Sequence, residues 1–331
     1  MPKILLRLGR LAIYVLLSGL LIWGAAALWF DGRAGLFAYV PALALIFWFG
    51  RGWSFRVGAL FATSVVVLIW WLRIPATNEA DWQPDVARVA TAQVEGDRLT
   101  IQNVRNFDHR SDSDFTVRWE DRTYDLSKLR AMDFYISHWG APIAHTMLSF
   151  VFDDGPPLCV SIEVRKTKGQ SYSAIRGFFR QFALIYTFAD ERDVIRERTN
   201  FRGENVRLYR LSAPPARARQ VLLGYLESAN ALAVEPQWYN AATSNCTTDL
   251  VQHFDPVPWD YRILWNNHID ELVYERGGLD RSMPIAELHR ISLINARAKA
   301  APNTEDFWRY IRVDLPRMGP ADWPVGTRSE K

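Results

Sequence analysis

Residues 145–165 read HTMLSFVFDDGPPLCVSIEVR and predict a β-hairpin. Two strand-like runs, His145–Phe152 and Leu158–Arg165, flank a turn made of Asp, Gly and Pro residues. Successive residues of a strand point to opposite faces, and in the first run the bulky apolar residues fall mainly on alternate positions. That set is predicted to face the core, which leaves His145 on the opposite, more polar face.

The centre of the turn, near Gly155, predicts how the two strands pair. Cys159 is then opposite Val151, and it lies roughly 20 Å along the strand from the histidine. Glu163 is opposite Met147, two residues from the histidine. From there its carboxylate is expected either to orient the imidazole or to form a cross-strand ion pair with an arginine.

The elements on either side of the hairpin predict an α+β domain over residues 74–331, with an antiparallel sheet and a C-terminal helical extension. Further strands are predicted over Val94–Val104 (two short strands around a turn), Thr116–Tyr124, Leu184–Phe188 and Val206–Leu211. Helices are predicted over Ser173–Phe182, Pro214–Ala233 and Cys246–Phe254, with Ser244 or Asn245 capping the last, and two or three short helices follow.

Residues 1–73 differ from the rest of the chain and predict a membrane anchor. They contain seven Lys or Arg and one acid, which leaves 32 basic and 35 acidic residues in the remainder. Three uncharged apolar stretches, Leu11–Phe30, Ala34–Gly50 and Val57–Leu72, predict three transmembrane helices. Their aromatic flanks suit the membrane–water interface.

Positive charge predicts the orientation of the anchor. Lys3, Arg7, Arg10 and the Arg51–Arg56 loop are expected on the cytoplasmic side. Three crossings then place the domain in the periplasm of a multi-pass bacterial inner-membrane protein. The predicted location depends on the number of spans, because one span fewer would place the domain on the opposite side of the membrane.

The composition also argues against several partners. The net charge of +3 hides +6 on residues 1–73 and −3 on the rest, and no Lys/Arg-rich run of the kind that binds nucleic acid occurs. Neither GxxxxGK[ST] nor GxGxxG is present, so no nucleotide is expected. Two cysteines and no paired ligand spacing predict no metal and no cofactor.

Cys246 is the candidate nucleophile. Its predicted place in the first turn of a helix favours a thiolate, and His145 is the candidate base. Two alternatives stay open on the residues alone, a Cys159–Cys246 disulfide and a pair of inert thiols.

Four strings resemble the Lnb N-terminal periplasmic domain family, where Lnb denotes a bacterial lipoprotein N-acyltransferase. They are VRNF at 104–107, AHTMLSF at 144–150, SIEVRK at 161–166, and YN at 239–240 followed by NCTT at 245–248. The resemblance runs from about Trp82 to the segment 306–316. HTMLSF and NCTT, in that order and about 100 residues apart, are its most specific part.

The resemblance implies a fold and a site. The fold is a circularly permuted papain-like domain of the NlpC type, similar to lecithin:retinol acyltransferase-like enzymes, in which the histidine strand precedes the cysteine helix. Cys246 would be the nucleophile and His145 the general base, with Glu163 our own candidate for a third member. Ser149, Asn245 and Thr247, in the same strings, are the expected substrate contacts.

The resemblance also implies a reaction in which a membrane phospholipid donates an acyl chain through a cysteine thioester to a lipoprotein's N-terminal amine. A membrane-tethered cysteine peptidase or amidase acting on envelope peptides is the alternative enzyme. A non-catalytic envelope protein is the alternative without chemistry.

Overall fold

The computed structural model describes residues 2–140, 143–254 and 258–315. The helices are α1 Pro2–Asp31, α2 Arg33–Phe49, α3 Trp53–Leu72, α4 Glu191–Arg196, α5 Pro215–Val234, α6 Thr248–Val251, α7 Ile269–Glu275, α8 Ile285–Ser292, α9 Asn295–Ala300 and α10 Phe307–Tyr310. The strands are β1 Thr91–Glu95, β2 Arg98–Arg105, β3 Asp108–His109, β4 Phe115–Thr116, β5 Trp119–Asp125, β6 Leu129–His138, β7 His145–Phe152, β8 Leu158–Arg165, β9 Ala183–Asp190 and β10 Asn205–Arg210.

The chain divides into two units. The first contains the residues up to Thr77 together with Tyr172–Ala183 and Trp238–Asn240, and the second contains the other described residues. All three apolar stretches of the first unit form helices, as predicted. Only two, Ile4–Asp31 and Trp53–Leu72, are long and apolar enough to be candidate membrane spans. The prediction of three full-length spans is therefore corrected to two, because the 17 residues of α2 extend only about 25 Å.

The helices of the first unit lie side by side. At one end, the Trp71 indole Nε1 donates a hydrogen bond of 2.8 Å to Asp31 Oδ2, which brings the C-terminal ends of α1 and α3 together. At the other end, the Arg10 guanidinium lies 5.2 Å from the centre of the Trp53 ring. The helices α1 and α3 are therefore parallel, and α2 runs back between their two ends.

The second unit contains an eight-stranded sheet in the order β1-β2-β9-β8-β7-β6-β10, with β5 paired to β2. The sheet is mixed and not purely antiparallel as expected, because β2 and β9 pair in parallel through Arg105 and Ala189. The ten-residue strand β6, which was not predicted from the sequence, pairs with β7 along most of its length. Strands β3 and β4 form a separate two-stranded sheet.

The predicted hairpin forms with its predicted strand ends, but its register differs by two residues. Met147 is opposite Ser161, and Ser149 is opposite Cys159. A shift of two leaves every side chain on its predicted face, because the side-chain period of a strand is two. The same shift moves Glu163 from the level of Met147 to the level of His145.

Both faces of β7 are covered, so its histidine does not lie on a solvent-facing surface. All eight residues of the strand are buried. Met147 packs in an apolar cluster with Ile195 and Phe307, from helices α4 and α10. On the opposite face, the ring centre of Phe150 lies 6.2 Å from that of Tyr225 in α5.

Helix predictions met mixed outcomes. The predicted helix Pro214–Ala233 is confirmed as α5. The predicted helix Ser173–Phe182 is wrong, because only a short 3-10 turn over Arg176–Phe178 forms there. Of the predicted helix Cys246–Phe254, only the four residues of α6 are α-helical. Within the described residues 258–315, four short helices form, α7 to α10, where two or three were expected.

Except for the half-buried Arg196, the acidic and basic residues of α4 and of the π-helical turn Glu197–Phe201 after it are buried. Asp193 is fully buried and accepts hydrogen bonds from Arg105 Nε, the Phe107 N–H and His109 Nε2, all at 2.7–2.9 Å. His109, Asp193 and Glu197 could together hold a metal ion, but Arg105 also donates to Glu197, at 3.0 Å. A guanidinium bound to both carboxylates favours an ion-pair network over a cation site.

Replacing Asp193 by asparagine is expected to lower the free energy of unfolding by about 3–5 kcal/mol, because it leaves the buried Arg105 cation without its main counter-charge. Denaturant unfolding of the full-length protein in detergent measures this loss. Asp114→Asn is the matched control, because its ion pair with Arg110 is exposed and adds little. Equal losses in the two variants would contradict the network's role.

Candidate functional site

Cys246 lies in a turn two residues before α6, with its thiol partly exposed. The Asn245 side chain caps this turn, as predicted, since its Oδ1 accepts hydrogen bonds from the Thr247 and Thr248 N–H groups at 2.9 and 3.0 Å. Because α6 has only four residues, its dipole is a minor support for a thiolate. The charge on Cys246 depends instead on the neighbouring strand β7.

His145, the first residue of β7, lies beside the candidate nucleophile, and a hydrogen bond between the two side chains acts on the pKa of each. Its imidazole Nε2 lies 2.7 Å from Ser161 Oγ and 3.2 Å from a carboxylate oxygen of Glu163. The Ser161 hydroxyl donates to the same carboxylate at 2.6 Å, so it accepts its own hydrogen bond from the imidazole. This assignment places a proton on Nε2 and leaves Nδ1 for the Cys246 thiol.

The Glu163 carboxylate completes a chain of polar contacts behind the imidazole. The Arg198 Nη2 donates to it at 3.1 Å, while the Arg198 Nη1 donates to Glu204 at 3.1 Å. The same carboxylate thus contacts both the histidine and an arginine, but this arginine comes from the π-helical turn after α4 and not from a neighbouring strand. Ser161 and Arg198 were not predicted as site residues, since a serine and an arginine carry no local signal for such a contact.

The electrostatics of the site favour a thiolate–imidazolium pair. Burial opposes the charged imidazole, but the negative charge of Glu163 raises the pKa of His145 to about 9. Burial alone would raise the pKa of Cys246, yet His145 and the hydrogen bonds from Thr146 bring that pKa below its usual value. His145, together with Arg198 and Ser161, holds the pKa of Glu163 well below its ordinary range despite burial.

A buried asparagine links the two strings that carry the site. Asn266 Oδ1 accepts a hydrogen bond from the Ala144 N–H, and Asn266 Nδ2 donates one to the Ala144 carbonyl, both at 2.7 Å. The same Nδ2 donates to Thr247 Oγ1 at 2.6 Å and lies 3.9 Å from Cys246 Sγ. Asn266 therefore holds the start of β7 against the cysteine turn, a role that its local sequence did not indicate.

The three residues expected to contact substrate are buried and contact other parts of the protein. Asn245 is buried, and besides capping it donates from its Nδ2 to the Ala241 carbonyl at 2.8 Å. Thr247 is fully buried beside Asn266 and Thr146. Ser149 is fully buried opposite Cys159, four residues along β7 from the histidine, or roughly 13 Å. The structure does not bring Ser149 to the cysteine.

Cys159 and Cys246 are both free thiols, so the alternative of a disulfide is not what the structure contains. Cys159 is fully buried in the apolar cluster with Met147 and Tyr135, and burial raises the pKa of its thiol. The two cysteines are thus opposite in character. Cys246 is half-buried beside an imidazole, and Cys159 is buried among apolar side chains.

The rate of alkylation of Cys246 by iodoacetamide is expected to reach half its maximum below the ordinary thiol pKa of about 8.5. His145→Ala removes the imidazolium that lowers this pKa, so the midpoint should move to a higher pH. Peptide mapping of full-length protein labelled across a pH series measures both midpoints, with Cys159 as the unreactive internal control. A wild-type midpoint at or above the ordinary value would contradict the ion pair.

Comparison with known proteins identifies one family. Residues 115–267, a little under half of the chain, match the family model described as the Lnb N-terminal periplasmic domain. The match is narrower than the resemblance that the sequence indicated, but it includes His145, Glu163, Cys246 and Asn266. No curated protein matches the chain, and no solved structure does.

Proposed function

Because residues 115–267 belong to the Lnb N-terminal periplasmic domain family, we propose that this membrane-anchored protein is a cysteine-dependent acyltransferase of the periplasm. It would move an acyl chain from a membrane phospholipid to the N-terminal amine of a lipoprotein. The observation that carries the proposal is the partly exposed Cys246 thiol beside an imidazole whose pKa is raised to about 9. Such a pair supplies a nucleophile and a proton donor at neutral pH.

In the first step, the Cys246 thiolate attacks the carbonyl carbon of the phospholipid ester. The tetrahedral intermediate breaks its carbon–oxygen bond, and the departing lysophospholipid oxygen takes the proton of the His145 imidazolium. The products are an acyl thioester on Cys246 and a neutral imidazole. The raised pKa of His145 matters here, because the histidine must still carry its proton when the thiolate attacks.

In the second step, the acceptor amine attacks the thioester. The neutral His145 takes a proton from the attacking nitrogen, and the carbon–sulfur bond breaks to form an amide. The thiolate–imidazolium pair is thereby restored, and no other reactant is consumed. Glu163 and Ser161 act as positioning residues, because they hold the Nε2 proton and keep Nδ1 towards the sulfur.

We also propose that α1 and α3 are the two membrane spans and that the shorter α2 is the segment by which the chain returns between them. The parallel arrangement of α1 and α3 supports this, because the chain must return from Asp31 to the level of Trp53 between them. With Arg7 and Arg10 in the cytoplasm, two parallel spans give a multi-pass inner-membrane protein. Its catalytic domain then lies in the periplasm, in keeping with the family description.

The order of the site residues along the chain supports a permuted papain-like fold as the finer assignment. The histidine is on β7 and the cysteine follows about 100 residues later in a capped turn. Papain-like geometry places a nucleophile at a helix start against a histidine on a sheet. The antiparallel pairing of β6, β7 and β8 around that histidine agrees with this assignment.

The test is the intact mass of full-length protein purified from membranes and denatured in acid. An added fatty-acyl mass that hydroxylamine removes is expected, because thioesters are cleaved by hydroxylamine. A clean mass together with rapid alkylation of Cys246 would favour the peptidase or amidase. A mass lower by two hydrogens and restored by a reductant would indicate a disulfide, and it would overturn the proposal.

A further inference from the structure

The segment Tyr172–Ala183, between β8 and β9, presents large apolar side chains outward. Ile175 is 65% exposed and Phe178 is 48% exposed. Both lie on or beside the short turn that replaces the predicted helix, and the Gly177 N–H holds this turn by donating to the Ser173 carbonyl at 3.0 Å. Exposing two large apolar side chains to water on one turn is unfavourable, so such a surface indicates an apolar binding partner.

The segment belongs to the same unit as the apolar helices and binds to the C-terminal end of α1. The Arg180 N–H and the Gln181 Nε2 donate to the Asp31 carboxylate at 3.3 and 2.5 Å. The ring of Phe179 stacks on that of Phe30, with their centres 4.8 Å apart. These contacts hold the segment at the end of α1.

The end of α3 holds the same segment. The Arg180 Nη1 donates to the Ile74 carbonyl at 2.6 Å, and its guanidinium lies 4.6 Å from the centre of the Trp71 ring. Arg180 therefore joins both candidate spans at their C-terminal ends. The position of the segment along the helix axes is defined by at least two independent sets of contacts.

Tryptophan residues mark the membrane–water boundary at this end of the unit. Trp29, in the last turn of α1, is 53% exposed, and tryptophan is enriched at the headgroup level of membranes. Asp31 follows two residues later, or about 3 Å along the axis. A segment that binds Asp31 and stacks on Phe30 is thus at the level of the headgroups.

We propose that the Tyr172–Ala183 segment inserts Ile175 and Phe178 into the boundary between headgroups and acyl chains of the periplasmic leaflet. The occupant of this surface is the phospholipid bilayer that the spans cross, because the segment is bound at the ends of two apolar helices whose own large apolar side chains are exposed. The partly exposed Arg176, on the same turn, is placed to contact anionic headgroups. The inference requires the membrane anchor but not the acyltransferase chemistry.

The test uses full-length protein reconstituted in vesicles of phosphatidylethanolamine and phosphatidylglycerol. Ile175→Cys and Phe178→Cys are each labelled with an environment-sensitive fluorophore in a Cys246→Ala background, where the buried Cys159 does not react. Lipids with a nitroxide near the headgroup should remove most of the emission, and lipids with the nitroxide near the chain terminus should remove less. Leu16→Cys, an exposed position inside α1, is the control and should show the reverse order.

Two results would overturn the proposal. Emission that is quenched by aqueous iodide and not by either lipid nitroxide would place the segment in water. Self-quenching that grows with the ratio of protein to lipid would mean that a second copy of the chain covers the segment. Both results are independent of the thioester measurement, so the insertion and the acyl transfer can fail separately.

Discussion

Replacing Cys246 by alanine is expected to abolish the hydroxylamine-sensitive acyl adduct and to lower the rate of acyl transfer on the order of 10⁴-fold or more. The reason is that the thioester forms on this sulfur, and the described surroundings of the site contain no second exposed thiol. The measurements are intact mass spectrometry and release of lysophospholipid by full-length protein in vesicles. Cys246→Ser keeps the size of the side chain but not the low pKa, and a similar loss is expected.

Cys159→Ala is the matched control for this prediction. It removes the other cysteine, which is fully buried and opposite Ser149, and it should keep both the adduct and the transfer. An adduct that persists in Cys246→Ala would assign the acyl chain to another residue. An adduct that is lost only in Cys159→Ala would mean that Cys159, and not Cys246, carries the acyl chain.

Replacing His145 by alanine is expected to lower the rate of transfer by roughly 10²–10⁴-fold, the usual contribution of a general acid–base group. The Cys246 thiol then loses the imidazolium that lowers its pKa, and the leaving oxygen loses its proton donor. The wild-type rate should be bell-shaped in pH. It rises as Cys246 ionises, and it falls as His145 loses its proton above about pH 9.

Glu163→Gln separates positioning from catalysis in this prediction. Glu163 raises the pKa of His145, so its neutral replacement should lower that pKa and shift the upper limb of the rate profile to lower pH. A variant that only damaged packing would lower the rate at every pH without moving the limb. An upper limb that does not move would contradict the effect of the Glu163 carboxylate on the imidazole. Ser161→Ala would then test whether the Ser161 hydroxyl alone positions His145.

Local patterns predicted much of the fold. The ends of β7 and β8 follow from a turn of Asp, Gly and Pro residues between two strand-like runs. The helix α5 follows from a proline start and an apolar stripe, and the cap at Asn245 follows from the preference of its side chain for helix starts. Each of these depends on residues that are close in the chain.

Other features depend on partners distant in the chain and could not be predicted locally. The charged residues around Asp193 suggest a surface, but Arg105 and His109 pair with them and make their burial possible. The strand β6 contains polar residues, including Asp133, that are buried because arginines from β10 and the C-terminal region bind them. The pattern of charged residues in one segment does not show that oppositely charged side chains from other elements will pair with them.

The sequence by itself determined the apolar helices, the strands of the hairpin, and the identity of Cys246 and His145 as the candidate pair. Periodicity and turn residues are local patterns, and the family strings are recognised by direct comparison of short segments. A single sequence is therefore sufficient to find them. Tertiary structure decided the rest of the site. The register of β7 and β8 brings Glu163 to the histidine, and Asn266 joins two distant strings. Pairing between strands and burial of polar groups are settled by the best total packing of the whole domain, which no local pattern contains.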